Sequence, residues 1–170
     1  MRTPLKPPLQ HDRLLELLTY FPASGDFVWN VATRRGQGKA GTLAGTPTAR
    51  GRYLHIQIDR RRYLAHRLAW FYVHKVWPPD EIDHESGDQA DNRITNLRTA
   101  NRAQNNANRR HKRTSRSGLK GVHFHRGKWI ASTKRDGKQF YLGSFNSPAE
   151  AHAAYCAKAK ELFGHFWSAG

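Results

Sequence analysis

The chain has 170 residues, 29 Lys and Arg against 13 Asp and Glu, a formal net charge of +16 and 38% apolar residues, among them five Trp and eight Phe. That length holds one domain or two small ones with modest cores, and the charge calls for a polyanionic partner. No apolar run approaches the roughly 20 residues of a membrane helix, so no membrane partner is expected, and Cys156 is the only cysteine, which excludes an internal disulfide and a Cys-based zinc site.

Residues 1–12 are Pro-rich and lack the apolar stretch of a secretory signal. The expected location is a reducing cytoplasm, with no disulfide-linked partner. Residues 13–18 predict a short helix with Leu14, Leu15, Leu17 and Leu18 on an apolar face. Residues 22–26 read as a turn, 27–29 as a strand and 33–45 mostly as loop. Residues 53–58 alternate like a half-buried strand, and residues 59–62 turn the chain into Tyr63-Leu64-Ala65. A helix follows over 66–74 with Leu68, Ala69, Phe71 and Tyr72 as core, and Trp77-Pro78-Pro79 ends it.

Next comes a strand at 82–84, a polar loop at 85–91, a second strand anchored by Ile94 and Leu97, and a helix from about 99 to 110. Residues 111–116 read as a basic linker. Beyond it, 121–124, 128–133 and 139–145 predict three strands, with Asp136-Gly137 as a hairpin turn. Ser147-Pro148-Ala149-Glu150 opens a helix, Ser147 as N-cap, Pro148 at the first position and Glu150 at the capping-box position, and Gly164 closes it. The class is α+β.

The charges are unevenly placed. Acids cluster at Asp80, Glu81, Asp83, Glu85, Asp88 and Asp91, and from residue 92 to 135 there is no Asp or Glu. That second interval carries Arg93, Arg98, Arg109, Arg110, Lys112, Arg113 and Arg116, expected to follow a phosphate backbone. In Ile82-Asp83-His84-Glu85-Ser86-Gly87-Asp88, then Asp91-Asn92-Arg93-Ile94-Thr95-Asn96-Leu97-Arg98 and Asn105, a carboxylate and an amide are oxygen donors for a hard divalent ion. His84 is placed to take a proton from water. Neighbours on a regular strand face opposite ways, so the pair works together only if His84 ends the strand. Asn96 is expected to fasten the loop to its backbone. Singly, these residues also read as a solvated acidic turn and as loop caps. Jointly they point to a metal-dependent nuclease.

This run, with Ala65-His66-Arg67-Leu68-Ala69-Trp70 and Trp77-Pro78 before it, resembles the HNH homing endonucleases of bacteriophages over roughly residues 50–110. The resemblance implies a ββα-metal core at about 80–110 with one catalytic divalent ion, Mg²⁺ or Mn²⁺. It implies Asp83 and Asn105 as metal ligands, His84 as general base and Asn96 as the middle Asn of the motif. It further implies a phage or prophage origin, and so the cytoplasm of a bacterial host. His66 is a candidate to contact a phosphate or join the site, and otherwise a packing residue.

Ser117-Gly118-Leu119-Lys120-Gly121-Val122, Lys128-Trp129-Ile130-Ala131, Tyr141-Leu142-Gly143-Ser144-Phe145 and Glu150-Ala151-His152-Ala153-Ala154-Tyr155 resemble an AP2 DNA-binding domain. That resemblance implies a sheet face on double-stranded DNA through Lys120, His123, His125, Arg126, Lys128, Trp129, Lys134 and Lys138. The organisation expected is a nuclease domain at 1–110 with a β-rich N-terminal extension, a linker at 111–116 and an AP2-like domain at 117–166. The function expected is a homing-type DNA endonuclease. The alternative is a non-catalytic DNA-binding protein that keeps a nuclease fold.

Overall fold

The structure is a computed structural model and describes residues 9–33, 38–49, 52–109 and 116–169. Arg110, Lys112, Arg113 and most of the expected linker lie outside these. Among the described residues the architecture mixes four α-helices with several small sheets. The chain divides into two compact units, Met1–Thr99 and Ala100–Gly170. The expected boundary lay at the basic linker. The observed one falls earlier, because Ala107 of the helix at Arg102–Asn108 is buried in the second unit's core and Ala103 packs against it.

In the first unit, α1 (His11–Leu17) runs directly into β1 (Leu18–Phe21), which pairs antiparallel with β2 (Asp26–Trp29). Leu18, expected as the helix's last apolar residue, starts the strand instead. It is fully buried, as is Leu14 of the helix, so one apolar run serves both elements. β3 (Leu43–Ala44) adds to β2, within the stretch read as loop. A second sheet is ordered β4 (Thr46–Pro47), β5 (Leu54–Ile58), β6 (Arg61–Leu64). Asp59 and Arg60 both take positive φ between β5 and β6, the geometry of a tight two-residue hairpin turn.

Helix α2 (Ala65–His74) buries Leu68, Ala69 and Phe71 against Ile56 and Ile58 in one core. Removing a buried side chain such as Leu68 costs about 2–5 kcal/mol. α2 closes at Lys75, whose φ is 61° and whose N–H bonds the Phe71 carbonyl, before the prolines expected to end it. Arg67 then donates to the carbonyls of Asp80 (3.0 Å) and Pro78 (3.2 Å), pinning the chain just ahead of β7 (Glu81–His84). β7 pairs with β8 (Leu97–Ala100). Ile94–Asn96, expected within the second strand, is a 3₁₀ turn.

In the second unit, α3 (Arg102–Asn108) is shorter than expected because Asn101 caps it. The Asn101 side chain accepts from the Gln104 N–H (2.9 Å), and the Gln104 side chain accepts from the Asn101 N–H (2.8 Å). β9 (Val122–His125), β10 (Lys128–Arg135) and β11 (Lys138–Phe145) form an antiparallel sheet. Asp136 and Gly137, with φ of 49° and 82°, make the β10–β11 turn as expected. α4 (Pro148–Phe163) starts where Ser147 accepts from the Glu150 N–H. It buries Ala151, Tyr155, Ala159 and Phe163, one face at four-residue spacing.

Candidate active site

β7 ends at His84, as expected if His84 is to work beside Asp83. The Gly87 N–H bonds the His84 carbonyl at 2.8 Å, so the chain turns at His84, and the Glu85 N–H bonds the Asn96 carbonyl at 2.9 Å. Asp83 and His84 are neighbours, yet each is only 4% exposed. Ile82, just before them in β7, is buried as well, so both faces of the strand are covered here.

The loop after His84 is built from side chains bonded to backbone. Asn96, buried, accepts from the Ser86 N–H (2.9 Å) and donates to the Asp91 carbonyl (2.8 Å), so one amide ties both ends of the loop. Ser86, Asp88 and Asp91 each accept from the N–H two residues on. Asp88 and Asp91 thereby serve as turn residues, and Asp91 also pairs with Arg93 (2.6 Å).

Five further residues act on the His84 ring or on what holds it. His84 Nε2 lies 3.3 Å from Asn92 Oδ1, and Asn92 Nδ2 donates to the Ala90 carbonyl at 3.2 Å. That second bond fixes which way the amide points. Nε2 therefore carries the hydrogen and donates, which leaves the lone pair on Nδ1. Asn92 is held in turn from the N-terminal hairpin, because the Tyr20 hydroxyl donates to its carbonyl at 2.7 Å. Gly25, at φ +83°, lies so close beneath that a Cβ would stand 2.5 Å from the Arg93 nitrogen. The ring of His66 meets that of His84 edge to face, centroids 5.0 Å apart at 87°, and the Tyr53 ring touches both at 5.3 and 6.0 Å.

Burial pushes His84 below the usual imidazole range, with the Asn92 bond and Asp83 pulling the other way. His66 is driven down to about 3, first by burial and then by His84 and Arg67. His66 is thus neutral at any ordinary pH. The sequence leaves His66 open, gives Asn92 a place in the motif but no role, and does not single out Tyr53 or Tyr20. Asn92 carried a signal, since it sits inside the motif. The contacts of Tyr20 and Tyr53 arise from long-range packing.

Asp83 is bound by Arg98, whose Nε and Nη2 lie 2.9 and 2.8 Å from the same oxygen, Oδ2, while Nη1 reaches Glu85 at 3.3 Å. Arg98 was expected on DNA. Among the described residues no group of three or more His, Cys, Asp and Glu gathers to hold a metal. The donor set still suits a hard divalent ion, which takes one or two carboxylates and fills its remaining positions with water and substrate phosphate. Asp83 supplies a carboxylate to such a set, and Arg98 already engages its Oδ2, a cation that competes with a metal for that oxygen. Asn105 lies half-buried on α3 of the second unit.

The pleat of the second unit's sheet divides the expected DNA contacts. Paired residues of an antiparallel sheet share a face. Ala131, paired with Val122, is fully buried, and Trp129, paired with Phe124, packs into the core under α4. His123, His125 and Lys128 occupy the opposite, exposed face together with Lys134 and Tyr141, the latter 67% exposed. Arg126 sits in the exposed β9–β10 turn. Lys138 pairs with Arg135 on the α4 side, over the Phe140 ring. Lys120 is turned inward, its ammonium donating to the carbonyls of Ala107 and Ser168. Burial lowers its pKa to about 8. Arg116 stacks over Phe124, 4.3 Å from the centroid, and Arg93 and Arg109 are exposed. Among the described residues no helix is long and apolar enough to cross a membrane.

No curated protein and no solved structure matches the chain. Residues 63–107, from the end of β6 through β7, His84, Asn92 and Asn96 to α3, match the family model of the HNH endonuclease, and this match supports an HNH nuclease.

Proposed function

We propose that the chain is a metal-dependent DNA endonuclease that hydrolyses phosphodiester bonds, of homing type, carried by a phage or prophage and active in the cytoplasm of its bacterial host. The observation that carries this reading is the His84 ring, held by Asn92 through Nε2 so that Nδ1 is the basic nitrogen, one residue from the Asp83 carboxylate. His84 takes the proton of the attacking water at Nδ1. Asn96 keeps the loop closed around it, and Asn92 fixes its tautomer. Asp83 holds the divalent ion, Mg²⁺ or Mn²⁺, and the assignment of Asn105 as a second ligand rests on the sequence pattern alone. When bound, the ion supplies charge stabilisation at the scissile phosphate and the departing oxygen.

The open face of the second unit's sheet is the surface offered to double-stranded DNA, in the manner of an AP2 domain. His123, His125, Lys128, Lys134 and Tyr141 lie on it, and Arg126 lies at its edge. The test is a supercoiled plasmid incubated with the protein in Mg²⁺ and, separately, in EDTA. Nicked or linear product in Mg²⁺ alone supports the reading. A non-catalytic DNA-binding protein is the second reading, favoured by Arg98 occupying the Asp83 carboxylate. It predicts a plasmid that is shifted in a gel but intact in both conditions.

A further inference from the structure

We propose that Arg98 is a latch on the metal site: its guanidinium holds the Asp83 oxygen that a divalent ion needs, and so sets the ion concentration at which the site fills. This rests on Asp83 being a metal ligand. The two residues lie on the paired strands β7 and β8. A guanidinium often grips a carboxylate with one N–H on each oxygen. Arg98 does otherwise. Its Nε donates to Asp83 Oδ2 at 2.9 Å, and Nη2 lies 2.8 Å from the same atom. A carboxylate oxygen accepts at about two sites, so these two nitrogens alone fill Oδ2. An ion binding at Oδ2 has to displace at least one of them, and has to do so against a positive charge.

The hold is shielded and has a second anchor. The side chains of Arg98 and Asp83 are largely buried, so salt screens the pair little. Nη1 extends to Glu85 at 3.3 Å. One guanidinium thereby ties the carboxylates on both sides of His84. A latch must also open. Glu85 is mostly exposed, so the outer end of the guanidinium lies at the surface and can turn into water. A purely structural counter-ion makes the opposite prediction. With the ion on Oδ1 and Arg98 bracing Oδ2, loss of Arg98 would weaken ion binding or leave it unchanged. Loss of a latch tightens it.

The test titrates Mn²⁺ into the full chain without DNA and reads the free ion by electron paramagnetic resonance. The proteins are wild type, Arg98→Gln, Arg93→Gln and Asp83→Asn. Arg98→Gln keeps an N–H donor for Asp83 and loses the cation. With the latch open in about 1–10% of wild-type molecules, its loss should tighten Mn²⁺ binding by about 10- to 100-fold. Arg93→Gln removes an exposed cation from the same loop and controls for charge alone; its affinity should stay within about twofold of wild type. Mn²⁺ should also raise the urea midpoint of Arg98→Gln more than that of wild type, because the ion replaces the lost cation. In wild type, Mg²⁺ should move the Arg98 Nε–H resonance from a hydrogen-bonded position to one exchanging with water, a measurement that needs no variant to fold. Arg98→Gln binding Mn²⁺ no more tightly than wild type or Arg93→Gln overturns the proposal, as does an Arg98 Nε–H unmoved by saturating Mg²⁺. Wild-type Mn²⁺ affinity in Asp83→Asn would instead overturn the ligand assignment beneath it, an outcome distinct from either.

Discussion

Arg98 closes on Asp83 with two donors, Nε at 2.9 Å and Nη2 at 2.8 Å from one carboxylate oxygen, and their side chains are 15% and 5% exposed. A pair this deep differs from a surface salt bridge. Removing one partner strands a buried charge, which costs about 3–5 kcal/mol. Arg98→Ala is therefore expected to lose roughly 3 kcal/mol in urea unfolding. The double variant Arg98→Ala with Asp83→Asn should lose much less than the sum of the two single changes. An Arg98 that served only to grip DNA would leave stability untouched in the absence of DNA.

Stability should fall with acid in a way that His66 reports. Above about pH 6.5 the imidazole is neutral in the folded and unfolded chains, and its full contribution is present. Below that, the unfolded chain takes up a proton that the folded chain refuses until about pH 3. Stability then drops by about 1.4 kcal/mol per pH unit, or roughly 2 kcal/mol by pH 5 from His66 alone. His84, shifted in the same direction, adds to the slope. Urea unfolding of wild type and His66→Phe at pH 7.5, 6 and 5 should show a shallower dependence in the variant. Parallel curves would mean that His66 does not titrate on unfolding in this window.

The N-terminal hairpin should matter to catalysis without touching substrate. Tyr20→Phe deletes the bond to the Asn92 carbonyl and is expected to cost about 1 kcal/mol. Gly25→Ala forces a Cβ against the Asn92–Arg93 backbone from a left-handed conformation. Both should lower kcat with little change in DNA affinity. A normal kcat in a folded Gly25→Ala would show that the hairpin does not brace Asn92.

The two faces of the second sheet should behave differently on DNA. Lys128→Ala and Lys134→Ala, on the open face, should each reduce the log–log salt slope of duplex binding by about 0.9 if each contacts one phosphate. Lys138→Ala, on the α4 side, should leave the slope alone. Lys120→Ala should lower stability instead, because its ammonium holds the carbonyls of Ala107 and Ser168. An equal slope change for Lys138 and Lys128 would place DNA elsewhere.

Local grammar was readable where one short signal decides the structure. Asp136-Gly137 made its hairpin, and Ser147-Pro148 opened α4. The strand at Leu18 was hidden because an unbroken apolar run carries no punctuation between helix and strand. The cap formed by Asn101 and Gln104 shortened α3 by a reciprocal bond that propensity alone does not reveal. At the site, Asp83, His84 and Asn96 stand out by spacing. Their partners did not: Arg98 counted as one more basic residue until its pairing was visible, and Tyr20 reaches Asn92 across 72 positions of sequence. Charge and period describe faces and fields, whereas pairing depends on the packed fold.

The central claim is that His84 moves a proton and does not hold DNA. The most direct test measures cleavage and duplex affinity of His84→Ala side by side, in the same Mg²⁺ buffer. The account predicts a loss of roughly 10²–10⁴ in cleavage rate, the usual worth of a general base, with affinity unchanged. Cleavage at the wild-type rate, or a parallel collapse of affinity in a folded variant, would contradict it.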